Sequence, residues 1–280
     1  MNVFYNLKRL ARFAFSKRPL VYWWSMRQRQ GSELENFGDI LTPYIVEKLT
    51  GLEPILFNPK IRFANLFSHA LMVGSILSQS RSNSVVWGSG IIRRDEEVAG
   101  GKFLAVRGPL TAKRLKELGF DAPDVFGDPG LLLPLLYAPK VEKKYYFGVI
   151  SHYVDFDQVE REAATIPEVS HIGLLTNSVE PVIDRIAQCE RIISTSLHGV
   201  ITAHSYGIPA LWWRCSDRLS GDDVKFEDYF LSVGLTGIKP ETGSLRSVID
   251  NGSFTVPDPQ TLAQIQQGLM RTFPFKMKSA

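Results

Sequence analysis

Short apolar runs alternate with amphipathic segments along most of the chain. Runs of β-branched and aromatic residues predict buried strands, and in this sequence they lie at 20–24, 71–75, 85–90, 103–106, 145–150, 171–175, 192–193 and 210–213. Several of the segments between them have helical spacing, as at Leu41, Ile45 and Leu49, followed by Gly51 as a helix stop. Strands that alternate with helices predict an α/β fold with parallel sheets.

The alternation occurs twice, which predicts two Rossmann-like, doubly wound domains that face each other across a cleft. The segment 139–144 begins with proline and is rich in charge, so it is the clearest linker. We therefore expect one domain over 19–139 and a second over 140–280. Packing of the last helix, predicted at 259–275, back onto the first domain is left open.

Residues 1–18 form a predicted basic amphipathic helix, with apolar residues on one face and Lys8, Arg9 and Arg12 beside it. Such a helix can lie on an anionic membrane surface, or it can pack on its own domain or on a second subunit. The first thirty residues carry seven basic residues and no acid, whereas the net charge of the whole chain is only +3. The basic character is therefore local, which argues against a nucleic-acid partner.

Cysteine usage and hydropathy indicate the compartment. Cys189 and Cys215 have no metal-ligand spacing and do not form a disulfide framework, so a reducing compartment fits. No apolar run is long enough to span a bilayer. We expect a cytoplasmic protein, at the inner face of the plasma membrane if residues 1–18 bind lipid. No metal is expected, since His198 and His204 lack a ligand-like spacing.

The strongest candidate site is the stretch Ser194-Thr195-Ser196-Leu197-His198-Gly199. It follows an apolar pair and precedes a helix-like segment, so it predicts a strand, a tight loop and a helix N-terminus. Free backbone N–H groups and the helix dipole favour an anion there, and histidine readily exchanges a proton near neutral pH. His198 could thus protonate a bound phosphorylated substrate, or it could simply be packed behind a capped helix.

Other strand ends supply further candidates. Asn36-Phe37-Gly38-Asp39 follows the first strand, where Asp39 would either orient or deprotonate a sugar hydroxyl or cap the next helix. Gly88-Ser89-Gly90 would let a ligand approach the backbone closely, or would form a tight turn.

Two cations and one acid complete the candidates. Arg107 precedes a helix with Pro109 in its first turn and would clamp phosphate or carboxylate, or else pair with an acid. Lys225, just before a predicted apolar stripe, is a candidate to point into the cleft. Asp128 could face the same cleft, but a Gly-Asp-Pro-Gly turn needs no function to explain it, and we favour the structural interpretation.

Taken together, these motifs resemble the polysaccharide pyruvyl transferase family, most closely its exopolysaccharide and succinoglycan branch. The matching pieces, in the family's order, are 36–39, 88–90, 107–111, 127–129, 194–199 and 225–229. The resemblance covers roughly residues 20–235 and implies a two-domain fold similar to GT-B glycosyltransferases. It implies transfer of the enolpyruvyl carbons of phosphoenolpyruvate onto two hydroxyls of a sugar, which gives a cyclic ketal and releases phosphate in bacterial surface polysaccharide biosynthesis.

The resemblance also suggests roles for the candidates. His198 would donate a proton and Asp39 would act on the acceptor hydroxyls, while Arg107, Lys225, Ser196, Leu197, Gly199, Asn36, Gly88 and Ser89 would bind substrate. The partners would be phosphoenolpyruvate as donor substrate and a sugar or lipid-linked oligosaccharide as acceptor, with no cofactor. The sequence departs from the fungal and cell-wall-anchoring branches, which have an arginine where Ser196 stands. Donor binding would then depend on the other cations, with Arg214 or Arg218 as further candidates.

Two alternatives remain open from the sequence. A nucleotide-sugar glycosyltransferase of the same architecture would bind its diphosphate at the helix N-terminus near Leu197. A non-catalytic partner in polysaccharide assembly would be held at the membrane by residues 1–18.

Overall fold

The computed structural model describes residues 16–279. The predicted amphipathic helix of residues 1–18 lies outside this range except for its last three residues, so it stays a prediction. Among residues 16–279, no helix is long and apolar enough to cross a membrane. The same residues contain no group of three or more His, Cys, Asp or Glu side chains that could hold a metal ion.

The strands, in chain order, are β1 (Leu20–Tyr22), β2 (Glu35–Asn36), β3 (Ile55–Leu56), β4 (His69–Leu71), β5 (Ser84–Trp87), β6 (Lys102–Ala105), β7 (Tyr145–Ser151), β8 (Val169–Gly173), β9 (Leu175–Thr176), β10 (Cys189–Ser194), β11 (Ala210–Arg214) and β12 (Glu241–Thr242). The helices are α1 (Met26–Gln30), α2 (Phe37–Thr50), α3 (Pro109–Glu117), α4 (Leu133–Leu136), α5 (Phe156–Ala163), α6 (Glu180–Ala187), α7 (Leu197–Ser205), α8 (Val224–Ser232), α9 (Leu245–Asn251) and α10 (Pro259–Thr272).

Two five-stranded parallel sheets organise the described chain. The first has the order β3-β1-β4-β5-β6, and the second has the order β8-β7-β10-β11-β12. When the strands of each sheet are numbered along the chain, both orders become 2-1-3-4-5, a doubly wound arrangement. The α/β class with parallel sheets is thus confirmed, and it is consistent with a Rossmann-like fold.

The chain reverses its direction of winding between β1 and β4 in the first sheet, and between β7 and β10 in the second. Doubly wound sheets bind ligands in the crevice at the carboxyl ends of the strands on either side of such a reversal. The predicted motif at Asn36 comes after β1, and the predicted motif at Ser194 begins at the last residue of β10. The fold therefore places both motifs beside a crevice of this kind.

The two halves are closely joined. The short strands β2 and β9 pair antiparallel, with Glu35 opposite Thr176, and the Phe37 N–H donates to the Leu174 carbonyl at 2.8 Å. One apolar cluster contains buried residues of both halves, such as Leu41 and Ile150. The last helix, α10, packs on the first half, where Trp87 Nε1 donates to the Leu269 carbonyl at 3.0 Å. The domain boundary at 139/140 stays a prediction.

Candidate active site

A cavity of about 370 Å³ lies at the carboxyl ends of both sheets. Its walls come from both halves and include Trp24, Met26, Asn36, Asp39, Ser75, His152, Tyr153, Ser196, Leu197, His198, Arg218 and Lys225. Six of the ten site residues that the sequence suggested therefore line one space. A second cavity, near Arg18 and Phe67, is lined by none of them.

His198 lies in the first turn of α7, directly against the first turn of α2. Asn36 caps α2, since its Oδ1 accepts from the Gly38 N–H at 2.9 Å. A Cβ on Gly38 would lie 2.2 Å from His198 Nδ1, so only glycine lets the imidazole pack at this position. The side chain of His198 keeps 14% of its surface exposed, which leaves its ring accessible from the cavity.

Asp39 is on the same turn of α2 as Gly38 and lines the cavity. The helix cap is Asn36, so the alternative that Asp39 caps α2 is wrong. Burial raises the pKa of Asp39 to about 7, with nearby His198 lowering it and the Glu35 carboxylate raising it. A carboxyl group that titrates near neutral pH can act as a general base under physiological conditions.

The N-terminus of α7 opens into the cavity at Ser196 and Leu197. Within the described chain, no side chain caps this helix. The Ser194 hydroxyl accepts from the Ser196 N–H at 3.0 Å and donates to the Ser196 carbonyl at 2.8 Å, which shapes the loop before the helix. Uncapped N–H groups and the helix dipole favour a bound anion at this end of the cavity.

Lys225 and His152 line the cavity together with the N-terminus of α7. Lys225 is in the first turn of α8, where its Nζ donates to the Ser220 carbonyl at 3.2 Å. Burial, and after it the charge of nearby Arg107, lower its pKa to about 8, against the raising effect of Asp223. Burial, and next Lys225, lower the pKa of His152 to about 4. A bound anion would offset both effects, so this end of the cavity suits a phosphate or a carboxylate.

Arg107 does not contact the cavity as the sequence suggested. Its side chain is fully buried, and its guanidinium donates to Asp228 Oδ2 at 3.2 Å, to Ser75 Oγ at 2.7 Å and to the Ile91 carbonyl at 2.6 Å. Asp228 also accepts from the N–H groups of Leu110 and Thr111 at the start of α3. The expected anion clamp is therefore present, but the anion that it holds is the chain's own Asp228.

Three predicted substrate-binding residues pack inside the protein. Gly88 has a positive φ of 88°, and a Cβ there would lie 2.3 Å from Pro129 Cδ. The buried Ser89 hydroxyl donates to the Gly74 carbonyl at 2.9 Å. A Cβ on Gly199 would lie 2.3 Å from Ser194 Oγ. These residues do not line the cavity, because each packs against a neighbour inside the protein: Gly88 against Pro129, Ser89 against Gly74 and Gly199 against Ser194.

Reasoning from the sequence missed His152, which lines the cavity, and the contact of Asp128 with His198. His152 directly follows β7, so its position beside a strand end was the available signal. Asp128 was interpreted as a turn residue, and its Oδ1 indeed accepts from the Gly130 N–H at 2.8 Å. Its Oδ2, however, faces His198 Nε2 at 3.7 Å.

Comparison with known proteins identifies the family. A sequence model of polysaccharide pyruvyl transferases matches residues 36–216. An uncharacterized protein of Acanthamoeba polyphaga mimivirus is 33% identical over 215 residues, which cover 71% of this chain and 71% of that protein. No solved structure matches the chain. The chain thus belongs to the polysaccharide pyruvyl transferase family and is an enzyme that transfers pyruvyl groups to polysaccharides.

Proposed function

We propose that the donor is phosphoenolpyruvate and that the product is a pyruvate ketal bridging two hydroxyls of one sugar, with phosphate released. The matched family supports pyruvyl transfer, and the cavity supports the choice of an anionic donor. We further propose that the chain belongs to the exopolysaccharide and succinoglycan branch and has a GT-B-like arrangement of two domains. The repeated 2-1-3-4-5 strand order supports this arrangement.

The observation that carries the proposal is the position of His198 between an anion-binding end of the cavity and a carboxyl group. On one side are the uncapped N-terminus of α7 and Lys225, and on the other is Asp39. Phosphoenolpyruvate has a phosphate and a carboxylate, so it needs more than one such anchor. Of the further candidates Arg214 and Arg218, Arg218 lines the cavity, and we assign it to compensate for the arginine absent at Ser196. Its half-exposed side chain also pairs with Asp155 at 3.2 Å.

The reaction follows from this arrangement. His198 donates a proton to the methylene carbon of phosphoenolpyruvate, and the double-bond electrons form the new C–H bond. The resulting oxocarbenium-like carbon is attacked by a first sugar hydroxyl, whose proton passes to Asp39. A second hydroxyl then attacks the same carbon and phosphate leaves, carrying away that hydroxyl's proton. The steps need no metal or cofactor, and Arg107 contributes by holding Ser75 at the cavity wall.

The acceptor end of the cavity combines Asp39 with Trp24 and Met26. An aromatic wall beside a polar group suits a sugar, because a sugar ring presents both apolar C–H faces and hydroxyl edges. We propose that the acceptor is a sugar or a lipid-linked oligosaccharide. In the second case the basic residues 1–18 would hold the enzyme at the cytoplasmic face of the membrane that carries the lipid.

The test is incubation of the full chain with phosphoenolpyruvate and a panel of glycosides and lipid-linked sugars. We expect phosphate release and a product whose mass corresponds to a ketal. His198→Ala should lower phosphate release by about 10² to 10⁴-fold, the usual contribution of a general acid. Phosphoenolpyruvate should still protect this variant against thermal unfolding, because the groups that bind its anionic ends are unchanged.

His171→Ala is the matched control. His171 contacts Ser151 through its ring at 2.8 Å and is not among the residues that line the cavity, so its loss should leave phosphate release near normal. Near-normal release by His198→Ala would overturn the assignment of the proton donor. Protection of the natural protein against thermal unfolding by a UDP- or GDP-sugar, but not by phosphoenolpyruvate, would favour a glycosyltransferase. Failure with every acceptor and donor would favour a non-catalytic partner.

A further inference from the structure

One oxygen of Asp128 faces one ring nitrogen of His198 in the interior. Asp128 Oδ2 lies 3.7 Å from His198 Nε2, and the Asp128 side chain is fully buried. Both atoms are buried, and neither has a hydrogen-bond partner among residues 16–279. Buried polar atoms are nearly always hydrogen-bonded in folded proteins, so an unpartnered pair this close needs an explanation.

The surroundings of Asp128 leave the histidine as the matching group. Its Oδ1 is used to cap the short turn at Pro129, where it accepts from the Gly130 N–H. The nearby Tyr229 hydroxyl pairs with His204 Nδ1 at 3.0 Å instead. A buried carboxylate without a compensating charge or donor is unfavourable. An N–H on His198 Nε2 would relieve this cost after a small rotation of the ring.

The two nitrogens of the imidazole therefore have different surroundings. Nε2 faces Asp128 and is itself buried. Nδ1 lies on the edge against Gly38, in the turn that also carries Asp39. Because Nε2 is buried, Nδ1 is the nitrogen left to meet a substrate in the cavity that His198 lines.

We propose that Asp128 is a positioning residue that holds a hydrogen on His198 Nε2, so that Nδ1 is the nitrogen that exchanges a proton with the substrate. For the reaction itself this rests on the proposed function. The cationic imidazole gives its Nδ1 proton to the methylene carbon and becomes the neutral Nε2–H tautomer. The remaining hydrogen still points at Asp128, so the ring stays in place for the next turnover. Carboxylates hold catalytic histidines in a required tautomer in this way.

Asp128→Asn tests the proposal with little change in shape. The amide oxygen can still accept from the Gly130 N–H, while the amide nitrogen can only donate toward Nε2. The chain has five histidines, so ¹⁵N spectra of histidine-labelled protein can identify His198 by its loss in His198→Ala. We expect neutral His198 to be the Nε2–H tautomer in the natural protein and the Nδ1–H tautomer in Asp128→Asn.

Kinetics give the second measurement. In Asp128→Asn we expect kcat for phosphate release to fall by about tenfold or more, with a KM for phosphoenolpyruvate within roughly threefold of the original. Asp258→Asn is the control, since Asp258 caps α10 by accepting from the Thr261 N–H and is not among the residues that line the cavity. It should change neither the tautomer nor kcat.

The outcomes separate the two proposals. A Nδ1–H tautomer in the natural protein would overturn the role of Asp128, and this measurement does not depend on whether the variant folds. An unchanged tautomer in a folded Asp128→Asn protein would overturn it as well. The expected tautomers in a protein that releases no phosphate from phosphoenolpyruvate would support the positioning role and contradict the proposed function.

Discussion

Gly38 is the residue that lets the two helix N-termini meet at the site. A Cβ there would lie 2.2 Å from His198 Nδ1, so Gly38→Ala must push the imidazole away from its position. A displacement of about 1 Å at a catalytic group can cost about 100-fold in rate, and we expect a loss of phosphate release of that size. Steady-state kinetics with phosphoenolpyruvate and a working acceptor would measure it.

Gly268→Ala provides the comparison for Gly38. Gly268 is inside α10, where a Cβ would meet Val125 Cγ1 at 3.3 Å, outside the cavity. This variant should keep its activity. Equal activity of the two variants would mean that the position of His198 is unimportant for the reaction.

Asp39 predicts how activity depends on pH. Its pKa of about 7 means that the base form needed to accept a hydroxyl proton is scarce at pH 5 and is the main form at pH 8. We expect kcat/KM for phosphate release to rise between pH 5 and pH 7, and this rise to vanish in a slower Asp39→Asn enzyme. A rise that persists in Asp39→Asn would assign the titration to another group.

The same carboxyl group predicts the pH dependence of stability. Its pKa is raised from 3.8 to about 7 on folding, so between these values the folded protein binds more protons than the unfolded chain. The free energy of unfolding contributed by Asp39 therefore falls as pH rises through this window. Asp39→Asn removes the effect, and should stabilise the protein by roughly 1–3 kcal/mol at pH 8, and by less at pH 5. Urea unfolding at the two pH values would measure the difference.

The sequence predicted the local position of several site residues, but it did not predict which residues they contact. Arg107 was correctly placed beside a helix N-terminus, but its partner Asp228 comes from 121 residues further along the chain. Asp128 was recognised as a turn residue from its neighbours, whereas its contact with His198 depends on the packing of α7. Local patterns cannot identify such partners, because both pairs are formed only when the two halves fold together.

At the scale of elements, apolar periodicity located the longer helices and strands. Gly51, the predicted helix stop, is the C-cap of α2, and α3 begins at Pro109, in the first turn of the predicted helix. The two-residue strands β3 and β12 were not predicted, because two residues are too few to show an alternating pattern. Their absence from the prediction also hid the repeated strand order of the two sheets.

The N-terminus of α7 predicts opposite effects on stability and on donor binding. Ser196 occupies the N-cap position and its side chain makes no capping bond within the described residues. Ser196→Asp would supply a cap and a favourable charge, so we expect a gain of roughly 0.5–1 kcal/mol in unfolding free energy. The same carboxylate would repel the donor anion, so KM for phosphoenolpyruvate should rise by about tenfold.

Ser196→Asn separates the two effects, since asparagine caps helices well but carries no charge. It should be stabilised similarly with a much smaller change in KM. If Ser196→Asp left KM unchanged, the donor anion would have to bind elsewhere in the cavity.

At the scale of the whole molecule, the site depends on how the two sheets are held together. The β2–β9 pair joins residues on either side of the predicted boundary, and α10 returns from the end of the chain to Trp87 in the first half. One apolar cluster runs through both halves. The crevices at the two reversals of winding therefore form one cavity wall, with His198 from one half against Gly38 from the other.

This shared core predicts that the two halves unfold together, although the sequence suggested separate domains. Trp87 lies in the first half and Trp213 in the second, and both are fully buried. The chain has five tryptophans, so each probe protein keeps only Trp87 or only Trp213 and has the other four replaced by phenylalanine. The two proteins should show fluorescence transitions at the same urea concentration once the stability cost of the replacements is corrected from circular dichroism. Separate midpoints for fluorescence and for circular dichroism in one of these proteins would instead support independent domains, because unfolding of one half would then leave the other half and its core intact.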